Sequence, residues 1–148
     1  MKKRNAKPEE SFIRLQPLII REVIKRQKTF LARDMVSLPQ AIILGMLSAK
    51  GECSMNELAS YLSCTMSAVT PTIDKMLKKK VVSRKRSKTD RRVVNVRLLP
   101  KGRRINRKID KARKAMTTQI FRALTEKEKR TYIRIANKIY EYLKIKNK

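Results

Sequence analysis

The chain has 148 residues with 39 Lys and Arg against 12 Asp and Glu, a formal net charge of +27. Such a length fits one domain, and so large a charge implies a polyanionic partner: nucleic acid, an anionic membrane surface or an acidic protein. With no His, two Cys and three Gly, no Ser-His or Cys-His nucleophile pair, zinc or haem site, or phosphate-cradling glycine loop is expected, which argues against an enzyme and against a bound cofactor.

Pro8-Glu9-Glu10 predicts a helix start, because Pro suits the first turn and acids favour the positive end of the helix dipole. Phe12, Leu15, Ile19, Val23 and Phe30 recur near helical spacing, so a long, bent first helix is expected, with Pro17 either kinking it or opening a renewed first turn. Ser37-Leu38-Pro39-Gln40 predicts a second start, and Ala41, Ile42, Ile43, Leu44, Met46 and Leu47 a buried helix that stops at Lys50-Gly51. Ser54-Met-Asn-Glu57 is a capping-box pattern, followed by Leu58, Ala59 and Leu62. Residues 63–67 favour caps and turns, after which Val69, Ile73, Met76 and Leu77 restore a helical period.

After Lys78-Lys79-Lys80 the period switches to two. Val81 and Val82 lead into 83–87, a polar stretch follows, and Val93, Val94, Val96 and Leu98 complete a basic β-hairpin. Pro100 opens a further helix with Ile105, Ile109, Ala112, Met116 and Ile120 on one face. Thr125-Glu126-Lys127-Glu128 caps a last helix bearing Ile135, Ile139 and Leu143. No stretch approaches the roughly 18 apolar residues of a membrane span, and the basic start is not followed by a signal-peptide core. A cytoplasmic protein without membrane contact is expected.

Two short helices meeting at a tight turn suggest a helix-turn-helix, whose second helix enters the major groove and needs short hydrogen-bonding side chains there. Thr65, Ser67, Thr70 and Thr72 fit as a cluster, although each alone reads equally as a cap or surface hydroxyl. Lys75 and Lys79 lie on the same helix. The hairpin adds Arg84, Lys85, Arg86, Lys88, Arg91 and Arg92 against Asp90, a concentration of charge suited to the phosphate backbone and the minor groove. The candidate DNA-binding residues are therefore Thr65, Ser67, Thr70, Thr72, Lys75, Lys79, Arg84, Arg86, Lys88, Asp90, Arg91 and Arg92. Apolar stripes at both ends of the chain predict a two-fold homodimer.

Leu38-Pro-Gln40, Asn56-Glu-Leu-Ala59, Ser67-Ala-Val-Thr70 with Asp74, and Asp90-Arg-Arg92 leading to Val96-Arg-Leu98-Leu-Pro-Lys-Gly102 together resemble the MarR family of winged-helix regulators. The resemblance covers about residues 38–102 closely and the flanking helices more loosely. It implies a mainly α fold with a small β-hairpin wing, one domain over 1–148. Within it, about 38–100 would form the winged helix-turn-helix lobe, and about 9–33 and 101–146 the dimerisation helices. It also implies a recognition helix from about Thr65 to Lys79, and a wing at about Arg84 to Asn95 whose Arg92 enters the minor groove while Asp90 holds the wing in shape. The implied function is a ligand-responsive repressor binding palindromic double-stranded DNA, with a small-molecule effector that no residue here identifies. The alternative is a sequence-tolerant architectural nucleic-acid-binding protein.

The chain departs from the family pattern in three ways. Lys80 replaces a usual glycine, so that either Lys80 takes a left-handed backbone or the helix ends differently, and Pro71 falls inside the recognition helix, where it is tolerable only near the first turn. Third, the first helix holds no cysteine where peroxide-sensing members carry their reactive one; Cys64 precedes the recognition helix, with a packing role the expected fate and redox sensing the alternative. Cys53 and Cys64 flank the third helix, too far apart for an intrachain disulfide.

Overall fold

The computed structural model describes residues 7–33, 36–86, 90 and 93–146, the side chains of 28–30, 32, 33 and 146 excepted. Its elements are α1 (Pro8–Arg33), α2 (Leu38–Lys50), β1 (Glu52–Ser54), α3 (Met55–Tyr61), α4 (Met66–Lys78), β2 (Val82–Arg86), β3 (Val94–Leu98), α5 (Pro100–Phe121) and α6 (Glu126–Lys146). The backbone packs as two compact units, Met1–Ala112 and Arg113–Lys148. Among the described residues no helix is long and apolar enough to cross a membrane.

Local chemistry sets the helix boundaries. Ser37 and Gln40 form a reciprocal capping box at α2, with Pro39 in the first turn, and Gly51 ends the helix at φ 84°. At α3 the Ser54 amide donates to Glu57 Oε2 at 2.8 Å while the Glu57 amide donates to Ser54 Oγ at 3.1 Å. The bond from the Ser54 amide, with Lys50 Nζ at 3.2 Å and the Ser54 hydroxyl at 3.0 Å, holds the Glu57 carboxyl below its ordinary pKa. Thr125 and Glu128 repeat the arrangement before α6. α1 runs unbroken through Pro17, so the renewed first turn does not occur there.

The two hairpin strands form as expected, but the sheet has a third member. β1 pairs antiparallel with β3, and β3 with β2, giving the order β1-β3-β2. Cys53 lies opposite Val96, and Val82 opposite Leu98. These residues cover one sheet face, which packs into a core of Ile43, Leu44, Leu47, Leu58, Val69, Ile73 and Met76. α1 reaches that core through Leu31, 4% exposed. α5 starts beside it at Gly102, where an added Cβ would collide with the Val81 carbonyl oxygen. In the second unit Phe121 and Tyr132 meet edge-on, centroids 5.8 Å apart.

Candidate nucleic-acid interface

α3 and α4 form the helix-turn-helix. Ser63 turns the chain at φ 52°, and Thr65 caps α4 by accepting the Ala68 amide at 3.3 Å. Val69, Ile73 and Met76 bury the inner face, because positions three and four apart share one side of a helix. The outer face carries Ser67, Ala68, Pro71, Lys75 and Lys78, all exposed. Pro71 stands in the second turn, on that outer face, where its ring removes one ladder donor.

The candidate hydroxyls divide. Thr65 Oγ1 is engaged by the Ala68 amide and lies 2.9 Å from Ser67 Oγ. Thr70 Oγ1 donates to the Met66 carbonyl at 2.8 Å and is half-buried, as is Thr72. Ser67 is exposed on the outer face. Ala68 and Pro71, absent from the sequence-based candidates, also face outward and offer apolar contacts of the kind a thymine methyl accepts. Their signal was the helical wheel alone: both lie opposite Ile73. Lys75 is exposed, and Lys79 caps the end of α4, its carbonyl accepting from Lys101 Nζ at 2.9 Å. Lys80 follows at φ 54°, so of the two alternatives it is the left-handed backbone that occurs.

Arg84 and Arg86 both lie on β2, but they are used differently. Arg84 alternates with Val82, so it projects from the margin of the core-facing side of the sheet. There Nη2 lies 3.1 Å from Asp74 Oδ1 on α4 and 4.0 Å from Met55 Sδ. The pair joins β2 to α4. Arg86 is exposed at the far end of β2, opposite Val94. Asp90 is exposed, and its carbonyl accepts the Val93 amide at 3.0 Å. Lys88, Arg91 and Arg92 lie outside the described residues. On the other sheet face Arg97 Nε donates to Ser83 Oγ at 3.2 Å, an exposed cation that the sequence reading did not single out.

The packing role expected of Cys64 does not hold, since its side chain is exposed, whereas Cys53 is buried; burial pushes the Cys53 thiol up, with the Glu57 charge adding to the effect, and keeps it protonated. A cavity of about 280 Å³ opens between α2, the end of α4 and the start of α5, with Val36, Leu44, Met76, Val81 and Ile105 as apolar wall and Gln40, Lys79 and Lys101 as polar lining.

A profile of the MarR family matches residues 36–94. The uncharacterized HTH-type transcriptional regulator YsmB of Bacillus subtilis (strain 168) is 31% identical over 110 residues, covering 74% of this chain and 75% of that protein. YwhA of the same organism, also described as an uncharacterized HTH-type transcriptional regulator, is 25% identical over 100 residues, 68% and 72% of the two chains. Among solved structures, a MarR family protein from Bacillus stearothermophilus superposes with TM-score 0.81 at 24% identity, over 94% of this chain and 99% of that one. Streptococcus pneumoniae FabT, solved in complex with DNA, superposes with TM-score 0.78 at 21% identity, over 92% and 96%.

Proposed function

The chain belongs to the MarR family of winged helix-turn-helix proteins, and on that premise we propose that it is a sequence-specific, double-stranded-DNA-binding transcriptional regulator. The observation that carries this reading is the outer face of α4. Ser67, Ala68, Pro71 and Lys75 stand exposed there, and β2 is fastened alongside through Asp74 and Arg84. A helix so presented fits a major groove, reading bases mainly from its N-terminal turns. Relatives carrying the name HTH-type transcriptional regulator, and a neighbour solved with operator DNA, a mutant of the Escherichia coli protein MarR, support the same reading.

In this proposal Ser67, Thr72 and Lys75 face base edges, while Lys79, Arg86 and Lys88 meet phosphates. Arg91 and Arg92 are the residues assigned to the minor groove, whose negative potential favours a guanidinium, and Asp90 shapes the wing. Thr65 and Thr70 contribute by fixing the start of the helix, and Arg84 by holding the wing.

The protein acts as a homodimer on a palindromic operator. Phe12, Leu15 and Ile19 of α1 are 58%, 49% and 61% exposed, and Ile135, Ile139 and Leu143 of α6 are 47%, 48% and 54% exposed, stripes of the kind that subunit contacts cover. Repression relieved by a small molecule completes the proposal, with the cavity beside Lys79 and Lys101 as the effector site; its apolar wall and cationic lining suit an amphipathic anion. Selection of bound duplexes from a random pool by the full-length protein tests the reading. A recovered inverted repeat with half-sites about one helical turn apart supports it, whereas a pool without consensus favours an architectural binder.

A further inference from the structure

The cationic surface is not confined to the helix-turn-helix and its wing. α5 carries eight Lys and Arg against a single acid, Asp110, whose carboxylate accepts the Asn106 amide at 2.8 Å. Gly102, Asn106 and Ile109 bury the inner face of this helix. At 100° per residue, Arg104, Arg107 and Lys111 fall within about 60° of one another on its outer side, spanning about 10 Å of axis. All three are exposed, and no ion pair to them is recorded among the described residues.

This arrangement opposes the helix's own electrostatics. The first turn of α5 holds no acid and places Lys101, Arg103 and Arg104 at the positive end of the dipole. Arg104 and Arg107, three apart, and Arg107 and Lys111, four apart, are like-charged neighbours that repel. A face serving only solubility would mix signs. Nor does the stripe suit a two-fold contact with its own copy, which would set cation against cation.

We infer that Arg104, Arg107 and Lys111 form a second, sequence-tolerant surface for duplex DNA, engaging the phosphate backbone of a segment other than the one read by α4. The inference rests on the DNA-binding reading proposed above. One observation separates the surfaces. Base reading belongs to the N-terminal turns of α4, whereas α5 begins against the other end of that helix, where Lys101 Nζ meets the Lys79 carbonyl. Phosphate neutralisation needs no base identity, so a stripe of cations without a reading helix binds any duplex.

The test uses the full-length protein and the triple variant R104Q/R107Q/K111Q, each loaded on an immobilised selected operator and offered a labelled scrambled duplex. The wild type is expected to retain the labelled duplex; the variant is expected to load the operator within about twofold of wild type and to lose at least about tenfold of the retention. Equal retention by both proteins, or none by the wild type, overturns the inference and leaves operator recognition standing. Loss of binding to anionic phosphatidylserine vesicles with duplex retention unchanged overturns it in favour of a membrane contact. If the wild type shows no operator preference, the previous reading fails instead, and direct titration against scrambled duplex decides this one. A log–log salt slope reduced by about 2 to 3 units in the variant supports it, and an unchanged slope contradicts it. Matching thermal melts of the two proteins establish that the variant is folded.

Discussion

Arg84 Nη2 lies 3.1 Å from Asp74 Oδ1, so a cation that reads in the sequence as a phosphate ligand is held against α4. This predicts an effect opposite to simple electrostatics. Removing an acid from a polyanion-binding face should tighten binding, yet Asp74→Asn is expected to weaken operator binding about two- to fivefold. That corresponds to the roughly 0.5–1 kcal/mol of a half-exposed ion pair. Fluorescence anisotropy of D74N, R84Q and the double variant checks it: the double variant should be no weaker than R84Q alone. Tighter binding by D74N would reject the positioning role.

Lys80 adopts φ 54° directly after α4, a conformation costing a residue with a side chain roughly 1–2 kcal/mol. Glycine there removes that cost and adds about 0.5–1 kcal/mol of unfolded-chain entropy. Lys80→Gly is therefore expected to stabilise the fold by about 0.5–1 kcal/mol, read as a higher urea midpoint at constant slope. A lower midpoint would contradict the assigned backbone geometry.

Gly102 faces the Val81 carbonyl, and that oxygen also accepts the Leu99 amide at 3.0 Å. Alanine would gain about 1 kcal/mol of helix propensity, but the clash is with backbone rather than a flexible side chain, and overpacking costs typically 1–3 kcal/mol. Gly102→Ala should lower stability by up to about 2 kcal/mol; calorimetry that shows a gain would refute the close approach.

Much of this architecture was legible because the signals were local. Ser37, Ser54, Thr65 and Thr125 each sit at the start of their helices with the bonding group three residues on, and Gly51 ends α2 as its backbone freedom suggests. β1 was not legible: three residues carry no period, and what makes Glu52–Ser54 a strand is pairing with 95–97, some forty residues away. The site was half legible for a related reason. Residue type indicated that Thr70 and Arg84 can bond, but whether the partner is DNA, the Met66 carbonyl or Asp74 depends on which way each side chain projects.

The caps give the fold a defined acid sensitivity. The Ser54 amide, Lys50 and the Ser54 hydroxyl lower the Glu57 pKa, and Thr125 does the same for Glu128. A depressed folded-state pKa contributes stability that is fully present above the unfolded value near 4.3 and is lost as pH falls through the lower folded value. Glu57→Ala should therefore destabilise the protein at pH 7, and the gap from wild type should shrink below about pH 4. A gap that stays constant with pH on thermal melts would rule out the charged carboxylate as the cap.

The central claim is that the outer face of α4 reads base sequence, and the affinity ratio between a selected operator and a scrambled duplex of equal length tests it most directly. Measured at one physiological salt concentration with the full-length protein, the ratio is expected to exceed about 10³ and to fall sharply when Ser67, on that face, and Thr72, at its half-buried margin, are replaced by Ala, with the salt slope unchanged. Equal affinity for the two duplexes would contradict the account and leave a protein that binds nucleic acid by charge alone.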